Sequence, residues 1–158
     1  MMSIRPATTG DISRMVELSD LSRTRYAYYS PVFWRKAQGA SEKQSLFFRA
    51  QLARENSIVL VAEEASRTEG FVIASLVDAP PVYDPGGKVC MVDDFMVSAP
   101  ALWPTVGRAL LTEATAQAKA RGAVLSVVVC GHQDEPKRAM LNASGAAIAS
   151  EWYTNPIP

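Results

Sequence analysis

Apolar residues recur along the chain with two different periods, and each period predicts one kind of element. Short runs rich in β-branched residues predict strands, whereas apolar residues three or four positions apart predict helices. In chain order, the patterns predict the succession β-α-α-β-β-β-α-β-α-β. Because no internal repeat, low-complexity tract or linker interrupts it, we expect a single mixed α/β domain over residues 1–158.

Six segments have the composition of strands. Two of them, 57–63 and 70–77, are separated by a polar turn and predict a hairpin. The run at 123–130 is almost entirely apolar, which is typical of a strand buried on both faces of a sheet. The complete set is 3–7, 57–63, 70–77, 89–97, 123–130 and, with looser alternation, 146–154.

Two capping signals predict where the first pair of helices begins. Thr8 is followed three residues later by Asp11, and Ser41 is followed three residues later by Gln44. Both are capping-box patterns, in which each of two side chains bonds a free backbone N–H of the first turn. Asn56 is a candidate stop for the second helix.

The third helix is predicted over 104–121, after a linker at 98–103, and the fourth begins at Asp134–Glu135–Pro136 and stops at Gly145. Arg121–Gly122 is a typical end for the third helix. One face of the third helix consists of Val106, Leu110, Ala114 and Ala118.

Composition argues against several classes of function. Sixteen basic residues balance sixteen acidic ones and no long block has one sign, so we expect no nucleic-acid partner. Cys90 and Cys130 lie in apolar runs, and His132 is the single histidine, so we expect reduced thiols and no metal. No apolar run approaches membrane-spanning length, and the first residues lack the apolar core of a signal peptide. We therefore expect a cytoplasmic protein with no membrane partner.

The junction after the strand at 89–97 has the composition of an anion site. The first turns of the next helix contain Thr105–Val106–Gly107–Arg108–Ala109. Free backbone N–H groups at a helix N-terminus, together with the helix dipole, suit a pyrophosphate. Gly107 would allow close approach of the anion, and Arg108 would add positive charge. The same residues also fit an ordinary strand-to-helix crossover with a glycine chosen for packing.

The junction resembles that of the GNAT family, the Gcn5-related N-acetyltransferases, in which a strand leads into an Arg/Gln-x-x-Gly-x-Gly/Ala loop and a helix. The stretch 105–111 is similar to the end of that motif, although Leu102 stands where Arg or Gln is usual and Thr105 replaces the first glycine. The opening, Ile4–Thr8 followed by Asp11–Ile12, is similar to the family's first strand and helix cap. The order of elements matches from one end to the other.

The resemblance implies both a fold and a cofactor. The implied fold is a mixed, mostly antiparallel central sheet with helices on both faces and a splayed pair of parallel strands at the coenzyme site. The implied co-substrate is acetyl-CoA, with its pyrophosphate on residues 105–109. The pantetheine arm would bind backbone groups of Phe95, Met96 and Val97.

Transfer of an acetyl group to an amine requires a base, because the amine arrives protonated. Asp93 and Asp94 lie late in the strand before the coenzyme loop and point to opposite faces. Family members often carry an acid on this strand, so the resemblance makes Asp93 the first candidate base and Asp94 the second. Either carboxylate could instead cap a turn or pair with an arginine.

The group that returns a proton to the leaving thiolate is less evident. The family's usual tyrosine corresponds to Leu141, which cannot donate a proton. Tyr153 and His132 are the remaining candidates. His132 follows a predicted strand at its carboxyl end and has a side chain suited to a proton shuttle, but it also suits a hydrogen bond to a loop. Tyr153 also suits the core or a dimer interface.

The resemblance implies that the acceptor site lies between the first two helices, where this chain has a cluster of aromatic residues. They are Tyr26, Tyr28, Tyr29, Phe33 and Trp34. We expect Tyr29 and Trp34 to line a pocket while the others pack, and Tyr83, in the Pro/Gly-rich loop at 78–87, to reach over the acceptor. Lys137 and Arg138 are expected on a solvated helix face, with the coenzyme phosphates as an alternative contact.

The sequence thus predicts an acetyl-CoA-dependent N-acetyltransferase acting on the primary amine of a small molecule. One alternative is a coenzyme-A-binding module or sensor with impaired catalysis. The departures from the family pattern at Leu102, Thr105 and Leu141 would be consistent with that alternative. Another is a protein N-acetyltransferase, which the neutral charge balance and the aromatic segment disfavour. A homodimer is possible by analogy with the family.

Overall fold

The computed structural model describes every residue from Met1 to Pro158. The strands are β1 (Ser3–Pro6), β2 (Ser57–Glu64), β3 (Arg67–Val77), β4 (Lys88–Val97) and β5 (Ala123–Val128). The helices are α1 (Ile12–Tyr29), α2 (Ala40–Leu52), α3 (Arg108–Ala120) and α4 (Glu135–Ala143). No helix is both long enough and apolar enough to cross a membrane.

The strands form one sheet in the order β1-β2-β3-β4-β5. All neighbouring pairs are antiparallel except β4 and β5, which are parallel, so the predicted sheet is confirmed. The predicted hairpin is also confirmed, with Glu64 opposite Arg67 across a two-residue turn. Both turn residues, Ala65 and Ser66, have positive φ, the backbone conformation that matches the twist of a tight hairpin.

Helices cover both faces of the sheet, as the resemblance implies. Alternate residues of β2 point to opposite faces: Val59 and Val61 pack against α1 and α2, while Ile58 and Leu60 belong to the larger core beneath α3 and α4. Burial on both sides explains why β2 and β3 consist of continuous apolar runs.

The two predicted capping boxes have different outcomes. At the first, the capping box is present as predicted, and the Asp11 carboxylate accepts the Thr8 N–H at 2.8 Å; the Asp11 N–H also donates to the Thr8 carbonyl. The second is wrong. α2 begins at Ala40 behind Gly39, whose φ of 68° lets the chain enter the helix earlier, and Gln44 bonds a residue of β4 instead.

The predicted end of α2 at Asn56 is also wrong, because the helix ends at Leu52. Asn56 pairs with the sheet: its side-chain amide donates to the Leu76 carbonyl at 3.1 Å, and its own carbonyl accepts the Leu76 N–H at 2.8 Å. Asn56 therefore joins the start of β2 to the end of β3 and does not cap α2.

Two predictions at the far edge of the sheet are wrong. β5 is not buried on both faces, because the successive residues Val124 and Leu125, which point to opposite faces, are 54% and 49% exposed. Residues 146–154 form no strand and are exposed, with Trp152 at 81%. An apolar sequence permits burial, but another element must be present to cover it.

Candidate active site

The two halves of β4 differ in their neighbours. Up to Val92, β4 pairs with β5, and the Val129 N–H donates to the Val92 carbonyl at 3.0 Å. Beyond Val92, β4 pairs with β3 alone. The register with β3 shifts here, because Ala74 lies opposite Val92 and Ile73 lies opposite Asp94, which leaves Asp93 as a bulge. The predicted splayed pair is confirmed, and we call the space between the second half of β4 and residues 129–131 the β4–β5 gap.

The bulge separates the two aspartates. Asp93 is exposed, whereas Asp94 is mostly buried and accepts a hydrogen bond from the Gln44 side chain at 3.3 Å. Burial raises the pKa of Asp94 from 3.8 to about 6, and the negative charge of Asp93 acts in the same direction. The positive charges of Lys137 and Arg23 oppose the rise in pKa. Asp94, the second of the two candidates from the sequence, is therefore a carboxyl group that exchanges its proton near neutral pH.

Lys137 lies in the β4–β5 gap and not on a solvated face, so that prediction is wrong. Its side chain enters from α4, the residue is 4% exposed, and its Nζ donates to the Phe95 carbonyl at 3.4 Å. The helical repeat could have revealed this burial, because Lys137 shares one face of α4 with the buried Met140 and Leu141. Burial lowers the pKa of the amine, although the surrounding thiol and carboxyl groups oppose that effect.

The wall of the gap is an aromatic stack. The rings of Phe95 and Trp103 are parallel within 6°, with centroids 4.9 Å apart. The Lys137 amine lies 5.3 Å from the Phe95 centroid and 5.2 Å from the Trp103 centroid, within the range of cation–π attraction. An apolar wall and a buried cation thus meet at the Phe95 carbonyl.

The helix after β4 begins earlier than predicted. A 3₁₀ turn occupies Pro100–Leu102 and a π-helical turn occupies Trp103–Gly107, so part of the predicted linker is helical. The side chain that Gly107 lacks would lie 2.5 Å from the Trp103 ring, so the glycine makes room for the aromatic stack. Gly107 thus has the packing role that the sequence analysis gave as the alternative to anion binding.

The residues predicted to hold pyrophosphate divide by exposure. Thr105 and Arg108 are exposed and Ala109 is half-buried. Val106 and Gly107 are buried, with Val106 in the larger core. An anion at this turn could therefore reach the side chains of Thr105 and Arg108, but not the side of Gly107 that faces Trp103. The Arg108 N–H is used within the helix, where it donates to the Trp103 and Thr105 carbonyls.

Comparisons with solved structures find proteins of the same overall fold, although no protein-family model and no curated protein sequence matches the chain. A mutant of the BH1408 protein of Bacillus halodurans has a TM-score of 0.85 at 18% identity, and the match covers 99% of each chain. A predicted acetyltransferase of Clostridium acetobutylicum, solved with acetyl-CoA, has a TM-score of 0.73 at 19% identity, over 99% of this chain and 96% of that one. The aminoglycoside 6'-N-acetyltransferase of Acinetobacter baumannii has a TM-score of 0.74 at 14% identity, over 100% of both.

The chain has the GNAT fold. The resemblance seen at the strand–helix junction is confirmed at the level of fold, because the matches span the whole chain, from β1 to the residues after α4. Identities of 14 to 19% do not carry over the acceptor of any one of these proteins.

The aromatic cluster of this GNAT fold lies at the end of α1. Tyr26 packs on Tyr29 and Trp34, with centroid distances of 5.6 and 5.2 Å, and all three residues are half-buried. The Tyr26 hydroxyl donates to Asp134 at 2.7 Å and accepts the Gly131 N–H at 3.1 Å, so it ties α1 to the segment after β5. Burial and the neighbouring Asp134 raise the pKa of Tyr26.

The other predicted site residues lie in solvent. Tyr83 is 72% exposed in its loop, and Tyr153 is 88% exposed, with its hydroxyl donating to Glu151. The His132 side chain is exposed, and its carbonyl accepts a hydrogen bond from Arg138 at 2.9 Å. Leu141 is buried in the larger core. The structure therefore brings together Asp94, Phe95 and Lys137, with Tyr26 close to the end of β5, but not Tyr83 or Tyr153.

Proposed function

We propose that this protein is an N-acetyltransferase that transfers the acetyl group of acetyl-CoA to the primary amine of a small molecule. The observation that carries the proposal is the β4–β5 gap. There the Lys137 amine is buried and bonds the Phe95 carbonyl, and the neighbouring Asp94 carboxyl, with a pKa of about 6, is close enough for each group to affect the pKa of the other. That combination suits a reaction in which one amine loses a proton and a thiolate leaves.

Binding of acetyl-CoA would use the backbone of β4 beyond the bulge. Phe95, Met96 and Val97 belong to the half of β4 that lacks β5 as a neighbour, and the Phe95 carbonyl is approached there only by Lys137. The pyrophosphate would lie at the exposed turn that contains Thr105 and Arg108. Leu102, at the position where the family usually has Arg or Gln, is apolar and packs against the larger core. It therefore contributes no charge to this turn.

Asp94 is the proposed base. An ammonium group that enters the gap would lose a proton to this carboxylate, which is ionised above a pH of about 6. Gln44 holds one carboxylate oxygen at 3.3 Å and thereby limits its rotation. The released amine could then attack the thioester carbonyl, with the thiolate of coenzyme A as the leaving group.

A small acceptor is supported by the aromatic rings at the end of α1. The space between α1, the end of β4 and the start of α4, with Arg25, Tyr26, Met96 and Asp134 among its walls, has a volume of only about 10 Å³. The half-buried rings of Tyr29 and Trp34 lie beside Tyr26. Such walls suit a ligand with an apolar or cationic part. One neighbour of the same fold is an aminoglycoside antibiotic 6'-N-acetyltransferase, an enzyme with a small-molecule acceptor, which is consistent with the proposal.

Calorimetric titration with acetyl-CoA, followed by a panel of amines assayed for thiol release, tests the proposal. Arg108→Glu should weaken acetyl-CoA binding by about tenfold or more, because a charge-assisted hydrogen bond becomes a repulsion. Lys119→Glu, an exposed change near the other end of α3, is the matched control and should bind normally. Absence of binding to the wild type would refute the proposal, and binding without turnover on any amine would favour the coenzyme-A-binding module.

A further inference from the structure

Lys137 is the most unusual charged residue in the molecule. An amine is costly to bury unless an opposite charge pairs with it. Lys137 is 4% exposed, yet it forms no salt bridge within 4.0 Å, and the Phe95 carbonyl at 3.4 Å is the acceptor of its hydrogen bond. Methionine or leucine would fill the same space at lower cost. The amine therefore has a task that packing does not explain.

Titratable groups face Lys137 from each element around it. Cys130 follows β5, Asp134 caps α4, and Asp94 and Asp93 lie on β4; all four favour its charged form. Burial acts against them and is the larger effect, so the pKa of the amine lies below its ordinary value of 10.5. An amine of lowered pKa gives up a proton more readily than an exposed lysine does.

We propose that Lys137 is the catalytic acid of the acetyl transfer, which protonates the sulphur of the departing coenzyme. This inference rests on the proposed acetyltransferase function. The amine reaches the β4–β5 gap from α4 and bonds the β4 carbonyl that an extended pantetheine chain would also use. Binding of acetyl-CoA would therefore bring the thioester beside Lys137 and displace the amine from that carbonyl.

The other proton donors near the gap are unsuited to the task. The Tyr26 hydroxyl already donates to Asp134 at 2.7 Å, and its pKa is raised. Leu141 has no proton to give, and Tyr153 is 88% exposed. The Cys130 thiol donates to the Gly131 carbonyl, and burial raises its pKa to about 11.

The proton balance of the reaction closes. Asp94 takes one proton from the acceptor ammonium, and the neutral amine forms the new N–C bond with the acetyl carbon. When the C–S bond breaks, its electron pair stays on sulphur, which takes a proton from the Lys137 ammonium. The second proton lost by the acceptor nitrogen recharges Lys137, and Asp94 releases its proton to solvent. One proton leaves the protein for each thiol formed.

The test compares Lys137→Met, which keeps the length and apolar body of the side chain, with Arg138→Met on the same helix. Lys137→Met should lower kcat by about 100-fold, as expected for loss of a general acid, and should remove the basic limb of the pH profile. Arg138→Met should leave that limb in place. Circular dichroism checks that both variants fold, as expected because methionine suits a buried site.

A binding measurement separates this inference from the proposed function. At a pH where the free thiol is partly ionised, the wild type should bind coenzyme A about tenfold more tightly than the desulfo analogue, because the lysine cation stabilises the thiolate. Lys137→Met should bind both equally. If neither ligand binds the wild type, the acetyltransferase proposal itself fails. If the wild type binds both ligands equally, the inference about Lys137 is wrong and the enzyme proposal stands.

Two further outcomes would overturn the inference. Mass spectrometry after incubation with acetyl-CoA should find Lys137 unmodified, whereas an acetyl group on its Nζ would show that the amine attacks the thioester itself. Ultraviolet titration of coenzyme A bound to the wild type should show a lowered thiol pKa, because a cation favours the thiolate. An unshifted thiol pKa would place the lysine too far from the sulphur, and this measurement needs no variant.

Discussion

From Val89 to Val92, β4 is paired with strands on both sides, whereas from Asp94 to Val97 it is paired with β3 alone. The first half contributes to the core: Val89, Cys90 and Val92 are all buried. The second half carries the bulge, the two aspartates and the Phe95 carbonyl that Lys137 reaches.

The difference shows how one strand can serve both stability and chemistry. Where both edges are paired, backbone groups are satisfied within the sheet and side chains do the packing. Where β5 departs, a backbone acceptor becomes available to a side chain or a ligand, and buried ionisable groups can collect around it. Functional sites often form where regular pairing ends.

The largest effect is expected in the paired half. Val92 is fully buried, so Val92→Asp would place an unpaired carboxylate in the core and should destabilise the fold by about 4 kcal/mol or more. Urea denaturation should show a lost or strongly shifted transition. Asp93→Asn, at the next position but exposed, should change the free energy of unfolding by less than about 0.5 kcal/mol. Equal effects of the two changes would contradict the division of β4.

The next largest effect concerns catalysis in the open half. Asp94→Asn should lower turnover by about 100-fold with little change in acetyl-CoA affinity. In the wild type, activity should fall as pH drops below about 6, where Asp94 gains a proton, and the variant should lack this limb. A steady-state pH profile measures both. Unchanged turnover would remove Asp94 from the mechanism and return Asp93 to consideration.

The same variant should be more stable than the wild type. The pKa of Asp94 is raised from 3.8 to about 6 in the folded protein, so its charged form opposes folding. Stability should fall as pH rises from about 4 to about 6, and the penalty persists above that range. Asp94→Asn removes it and should raise the free energy of unfolding at pH 7 by about 1–2 kcal/mol. A less stable variant would mean that the carboxylate has a structural role.

A smaller effect is expected where the helical turn supports the open half. Gly107→Ala would place a methyl group 2.5 Å from the Trp103 ring and should cost about 1–3 kcal/mol through strain. Because Trp103 stacks on Phe95, acetyl-CoA affinity should fall as well. Thermal unfolding and calorimetry measure the two effects. Ala116→Gly, at an exposed position in the middle of α3, is the control: it should cost about 1 kcal/mol through helix propensity alone and leave affinity unchanged.

The smallest effect is expected on β5. Leu125 lies opposite Val89 in the paired half but is 49% exposed, so Leu125→Ser should change stability by less than about 0.5 kcal/mol. Leu60→Ser, at a buried position of β2, should cost several kcal/mol, on the order of a large-to-small core change. A large loss of stability at Leu125 in solution would mean that another surface covers β5 there.

Local patterns in the sequence correctly predicted the elements that are formed by contacts between residues close together in the chain. The β2–β3 hairpin depends on two adjacent apolar runs and a short turn, and the Thr8–Asp11 cap depends on residues three apart. The buried face of α3 follows from helical spacing, and the GNAT fold follows from the order of such elements together with the junction motif. In each case the information needed lies within a few turns or strands.

Only the tertiary structure decided which faces are covered and which side chains meet. The run at 123–130 is as apolar as β2, yet β5 lies at an edge where no further strand pairs with it. A bulge puts Asp93 in solvent and Asp94 beside Gln44. Helical spacing puts Lys137 on the buried face of α4, but only the packing of α4 brings its amine to the Phe95 carbonyl. Burial, pKa and contact depend on neighbours that are 40 or more residues away in the chain. Local periodicity carries no information about those neighbours, because it reports only which face of an element is apolar.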